Sequence, residues 1–177
     1  MSSEPPKWIS ERKFVADVLR SDFPPAIPLR LPHWAGLAFD RNRHPDLAPA
    51  EVWDALLHEH AAAGREVAVM SSNDLDSGRS PALLRADRAT LMSHLGQDFR
   101  FASDHYVLSP GQNWICRLDL DVTLIAGEAQ FMRQVVARCG GLETIMNVMM
   151  DDFDPGPTDS AGLKQYLMSL TRGIREG

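Results

Sequence analysis

The run from Trp114 to Ile125 alternates residue by residue, with Leu118, Leu120, Val122 and Leu124 in one set and Arg117, Asp119, Asp121 and Thr123 in the other. A period of two is the mark of a strand with one face buried, so this segment commits the chain to a sheet. On such a strand Asp119 and Asp121 project to the same side, about 7 Å apart at roughly 3.4 Å per residue. The preceding stretch, Phe99 to Leu108, also reads as a strand. Pro110 to Asn113 supplies turn residues, so a hairpin is expected over 99–125.

Helical spacing dominates the rest of the chain. Phe14, Val15, Val18 and Leu19 lie on one stripe of a helix over 8–20, with Ser10 as its N-cap. Val52, Trp53, Leu56, Leu57 and His60 lie on another over 50–62, with Pro49 near its start. Further helices are expected at about 87–95, over 131–139 up to Gly140 and Gly141, over 142–153, and over 160–173 after a break at 154–159. Short strands are expected at 33–39 and 66–70, and 71–80 has the composition of a loop. The prolines of 24–32 forbid a helix, and that stretch reads as extended. Together these predict a single α+β domain over 1–177, mainly an antiparallel sheet with the 99–125 hairpin at its centre and helices packed on one face.

Composition narrows the function classes. The chain has 24 acidic residues against 18 basic ones, a net charge of −6. That disfavours nucleic acid, whose phosphates call for clustered Lys and Arg, and suits a basic protein partner. No apolar run approaches the ~20 residues of a membrane span, and the first residues lack a signal peptide's apolar core, so a cytoplasmic protein is expected. Cys116 and Cys139 form no zinc or redox spacing and read as buried free thiols, and no cofactor is expected.

Three acidic groups are candidates for function. Asp119 and Asp121 could hold a divalent ion from one strand face, as in nucleotidyl-transferring enzymes, although the Gly-Ser turn such enzymes place upstream is missing. Asp74 and Asp76 follow a strand, but lie too far from its end for a phosphatase nucleophile and lack the closing Glu of a calcium loop. Asp151, Asp152 and Asp154 stand where a helix would end, against the negative end of its dipole. Either the helix stops before Asp151 or these acids meet a basic partner. His58 and His60 lie ~200° apart on a helix and cannot share a metal, and His60 falls on the apolar stripe as a core histidine. No nucleophile elbow, catalytic cysteine signature or phosphate loop occurs.

Acid groups without catalytic motifs point to a binding protein. The expected partner is a basic effector, met by Asp74, Asp76, Asp119, Asp121, Asp151, Asp152 and Asp154, with Trp34 or Trp114 as exposed aromatic anchors. In general character the chain is similar to the immunity proteins that bacteria carry against their own toxins, a likeness of composition that no motif carries. The alternative is a divalent-metal-dependent hydrolase or nucleotidyl-transferring enzyme using Asp119 and Asp121.

Overall fold

The computed structural model describes residues 7–20, 27–154 and 159–176, so residues 24–26 of the proline-rich stretch and most of the 154–159 break lie outside it. In chain order the elements are α1 (Lys7–Val18), β1 (Trp34–Asp40), a 3₁₀ turn (Arg41–Arg43), α2 (Ala50–His60), β2 (Glu66–Ser71), α3 (Ser72–Ser77), β3 (Ala82–Arg85) and α4 (Arg88–Gly96). There follow a 3₁₀ segment (Gln97–Ala102), β4 (His105–Leu108), β5 (Trp114–Leu118), β6 (Val122–Glu128), α5 (Ala129–Arg138), α6 (Leu142–Asp152), α7 (Ser160–Leu170) and α8 (Arg172–Arg175).

Among the described residues the strands form one antiparallel sheet in the order β1-β6-β5-β4-β2-β3. The fold is α+β, and the expected hairpin, as β4 and β5, occupies the two central positions. Its extent differs from the expectation. Residues 97–102 form 3₁₀ turns broken by a kink at Asp98 and Phe99 rather than a strand, and the run 114–125 folds back on itself, pairing Leu118 with Thr123 and Arg117 with Leu124. The alternation survives because a tight hairpin preserves apolar/polar order while exchanging faces. Leu118, Thr123 and Ile125 point into the core, Arg117 and Leu124 to the other face, and Leu120 stands 59% exposed at the turn.

Paired residues share a face, so the register sorts the packing. Trp114 and Gly127 lie opposite each other. On that face a Cβ on Gly127 would come within 3.0 Å of Asn113 O and the Trp114 side chain and 3.3 Å of Met132 Sδ, so only glycine lets α5 approach this closely. His60 of α2 packs edge-on to Trp114, ring centroids 5.4 Å apart. This helical layer, with Trp53, Leu56, Leu91, Leu95, Met132 and Val135, buries the principal apolar face. Gly140 and Gly141, at φ +90° and +96°, make the corner between α5 and α6. On the opposite face Trp34 meets Phe14 of α1 and Gly36 meets Leu170 of α7. Buried apolar residues from α1 through α8 form one contiguous core. Among the described residues no helix is long and apolar enough to cross a membrane.

Candidate functional site

Strand register decides which loops meet. Asp40 pairs with Val122, Leu118 with Thr123 and with His105, and His105 with Ser71. The ends of β1, β5 and β2 and the starts of β6 and β4 therefore share one end of the sheet. All three acidic groups gather there, together with Asp104 before β4. Hydrogen bonds stitch the neighbouring segments: Ser72 N donates to Asp104 O at 3.0 Å, Arg41 N to Asp121 O at 3.2 Å, and Arg43 Nη1 to Asp151 O at 2.8 Å.

The individual carboxylates have different jobs. Asp119 and Asp121 do not project side by side from a strand; they flank the β5–β6 turn. Asp119 Oδ1 accepts from Asp121 N at 2.9 Å and Val122 N at 2.7 Å, so this carboxylate builds the turn it sits in. Asp121 is exposed. The stretch 71–80 holds a short helix rather than loop alone: Ser71 Oγ accepts from Asp74 N at 3.0 Å and donates to Asp74 Oδ2 at 2.8 Å, a reciprocal cap, while Asp76 points to solvent. Among the described residues no group of three His, Cys, Asp or Glu side chains is placed to hold a metal ion.

Asp152 corrects the sequence expectation for the third group. The helix α6 does not stop before Asp151 but runs through Asp152, whose side chain is buried. Its Oδ2 accepts from Asp40 N at 3.1 Å and meets His44 Nε2 at 2.7 Å. The dipole cost of an acid at a helix C-terminus is offset by two inward contacts that pin α6 to the end of β1. Asp152 is thus an internal tie, not a docking contact, whereas Asp151 and Asp154 are exposed.

Trp114 and Trp34 are also corrected. They are 0% and 5% exposed and cannot anchor a partner. Trp114 Nε1 donates to His60 Nδ1 at 3.1 Å, and His60 Nε2 lies 2.8 Å from Glu66 O, which can only accept. His60 is therefore the neutral Nε2–H tautomer, a satisfied core histidine as its position on the stripe suggests. Exposed large apolar residues instead include Phe99 (76% exposed), Phe101 (42%) and Leu120 (59%), the last of which alternation places on the apolar face of a strand. Phe99 and Phe101 lie ring to ring at 6.1 Å. Asp98 and Phe99 hold φ of +52° and +55°, a left-handed pair that turns Phe99 outward.

Arg41 joins the two anchor segments. Its guanidinium is buried, with Nη1 donating to Asp119 O and Nη2 to Phe101 O. One side chain therefore ties the turn that carries Leu120 to the segment that carries Phe99 and Phe101. A lone arginine after a strand gives no sequence signal of such a clamp.

Beside this end, between α7 and the sheet face bearing Ala38, Leu124 and Arg117, lies an open cleft of about 1200 Å³. Burial raises the pKa of Tyr166 on its wall. Away from the site, burial pushes the Cys116 thiol up, and burial with the nearby Glu51 charge pushes Cys139 to about 11, so both free cysteines stay protonated at neutral pH. Comparison with protein families, characterised proteins and solved structures finds no match to this chain.

Proposed function

We propose that this chain is a protein-binding domain whose acidic sheet end docks on a basic protein, most specifically as an immunity-type inhibitor of a bacterial effector or toxin. The observation that carries this reading is that the segments bearing exposed Asp76, Asp121, Asp151 and Asp154 and those bearing exposed Phe99, Phe101 and Leu120 lie at the same end of the sheet. Aromatic and aliphatic anchors within a charged rim are the usual anatomy of an interface, the anchors supplying affinity and the rim steering association. The net charge of −6 adds a long-range attraction for a basic surface, such as a cleft built to hold an anionic substrate.

The test is an affinity capture by the tagged full chain from lysate of its own organism at low salt. It runs beside a variant carrying Asp76→Asn, Asp121→Asn, Asp151→Asn and Asp154→Asn. The expected result is a stoichiometric basic protein that salt releases and the variant retains poorly. Equal retention by both chains, or a partner indifferent to salt, overturns the assignment of this surface.

A further inference from the structure

We infer that the cleft beside α7 receives an inserted segment of the basic partner, a peptide stretch with an apolar face flanked by Lys or Arg. This rests on the docking role proposed for the acidic end and names the chemistry of its occupant. At about 1200 Å³ the cleft exceeds the roughly 300–1,000 Å³ typical of pockets for drug-sized molecules, which favours a polypeptide over a small ligand. Its walls are apolar where Val122 and Leu124 of β6 face Leu163 and Tyr166 of α7. Its lining also includes four acidic residues, Asp104, Asp119, Asp121 and Asp159. The same lining holds one cationic side chain among the described residues, Arg117, so carboxylates outnumber cations there. An apolar trough lined also by carboxylates is complementary to a basic amphipathic segment, which would bury its apolar side chains against α7 and β6 and leave its cations to the carboxylates. Leu120 belongs both to this lining and to the exposed anchors, so the inserted segment and the docked surface would be continuous.

The full chain, isotope-labelled, is titrated at low salt with the synthetic peptide Lys-Leu-Leu-Lys-Lys-Leu-Leu-Lys, and two-dimensional NMR follows the backbone amides. Two control peptides replace every Leu with Ser or every Lys with Glu. The expected result is a saturable shift at Val122, Leu124, Leu163 and Tyr166 with the first peptide, and binding roughly tenfold weaker or worse with either control. Leu163→Lys should abolish the shift, and the milder Leu163→Ala should weaken it should the lysine variant lose its fold. Shifts confined to Asp76, Asp151 and their neighbours, equal for the Leu and Ser peptides, overturn insertion while leaving acidic docking intact. Cleft amides that shift on simple dilution of the chain would assign the cleft to a second copy and also overturn it. No shift anywhere counts against both readings, and the affinity capture with the four Asn substitutions then decides the docking role by itself.

Discussion

At one end of the sheet, Trp114 and His60 turn their polar atoms to each other and to the Glu66 carbonyl, and α5 closes on Gly127 with no room for a side chain. At the other, the β5–β6 turn and the 97–102 segment hold Leu120, Phe99 and Phe101 in solvent, and three polar side chains there tie backbone atoms: Asp119 its own turn, Arg41 two carbonyls, and Asp152 the Asp40 N–H, besides its contact with His44. The first end uses its aromatic residues to fill space. The second uses buried polar groups to fix the position of exposed apolar ones. The same residue class therefore has opposite meanings at the two ends, and burial separates them. A free surface of rigid apolar groups is costly for a monomer and useful for a partner.

The largest effect should come from breaking the packed end. Trp114→Ala removes a fully buried indole and leaves His60 Nδ1 without its donor, so a loss of about 3–5 kcal/mol is expected in denaturant unfolding. The loss should appear as a lower midpoint for the whole molecule, because the core is continuous. A loss below about 1 kcal/mol would show that this end relaxes around the cavity.

Arg41→Met tests the opposite end. It keeps much of the buried aliphatic length and deletes the guanidinium bonds to Asp119 O and Phe101 O, at an expected cost of about 1.5–3 kcal/mol. The cost should be local. Hydrogen exchange should accelerate at 101–103 and 119–122 while protection in β4 and β5 near Trp114 persists. Uniform acceleration would mean that Arg41 holds the core and not the surface. One step smaller, Asp119→Ala removes the acceptor of two turn N–H groups and should cost about 1–2 kcal/mol, whereas Asp119→Asn keeps an acceptor oxygen and should cost little. Equal losses would assign the effect to charge instead of turn geometry.

These residues also mark what the sequence makes legible. Helix positions were readable because Val52, Trp53, Leu56 and His60 repeat at the helical period, and His60 was placed correctly by that stripe alone. The antiparallel sheet with β4 and β5 at its centre was readable from alternation and from the turn at Pro110–Asn113. The β5–β6 turn was not, since Asp119, Leu120 and Asp121 contain neither Gly nor Pro and continue the alternation unbroken. The signal available was a short Asp able to accept from the backbone two residues on. β3 carries only four residues and α3 is a single reciprocal cap, both below the length at which periodicity speaks. That the three acidic groups converge follows from strand order, and strand order is a long-range property that local pattern does not encode.

Acid titration separates the ends more gently. Asp87, which caps α4 at the Trp114 end of β3, is lowered to about 2, first by the Thr90 N–H, then by bonds from the Arg85 and Thr90 side chains. Because the folded value lies below the ordinary 3.8, the unfolded chain takes the proton first as pH falls. The stabilisation is complete above about 3.8 and is lost on the way down to about 2. Asp87→Asn should flatten that part of the stability profile, read by thermal unfolding across the window. An unchanged slope would remove the cap from the acid sensitivity of this end.

The smallest change in stability should carry the largest change in docking. Phe99 is exposed and left-handed, a conformation that costs an L-residue roughly 1–2 kcal/mol and glycine almost nothing. Part of that relief is cancelled by the greater freedom of glycine in the unfolded chain, so Phe99→Gly should stabilise by about 0–1 kcal/mol. Asp98→Gly relieves the neighbouring left-handed residue and leaves the aromatic ring in place. If the strain serves to present an anchor, the two variants should be alike in unfolding and opposite in partner capture: Asp98→Gly retains the basic partner and Phe99→Gly releases it. Equal capture would leave the strained pair without a role at the interface and would shift the anchoring to Phe101 and Leu120. Loss of capture by both would mean that backbone rigidity at 98–99, not the ring, is what the partner reads.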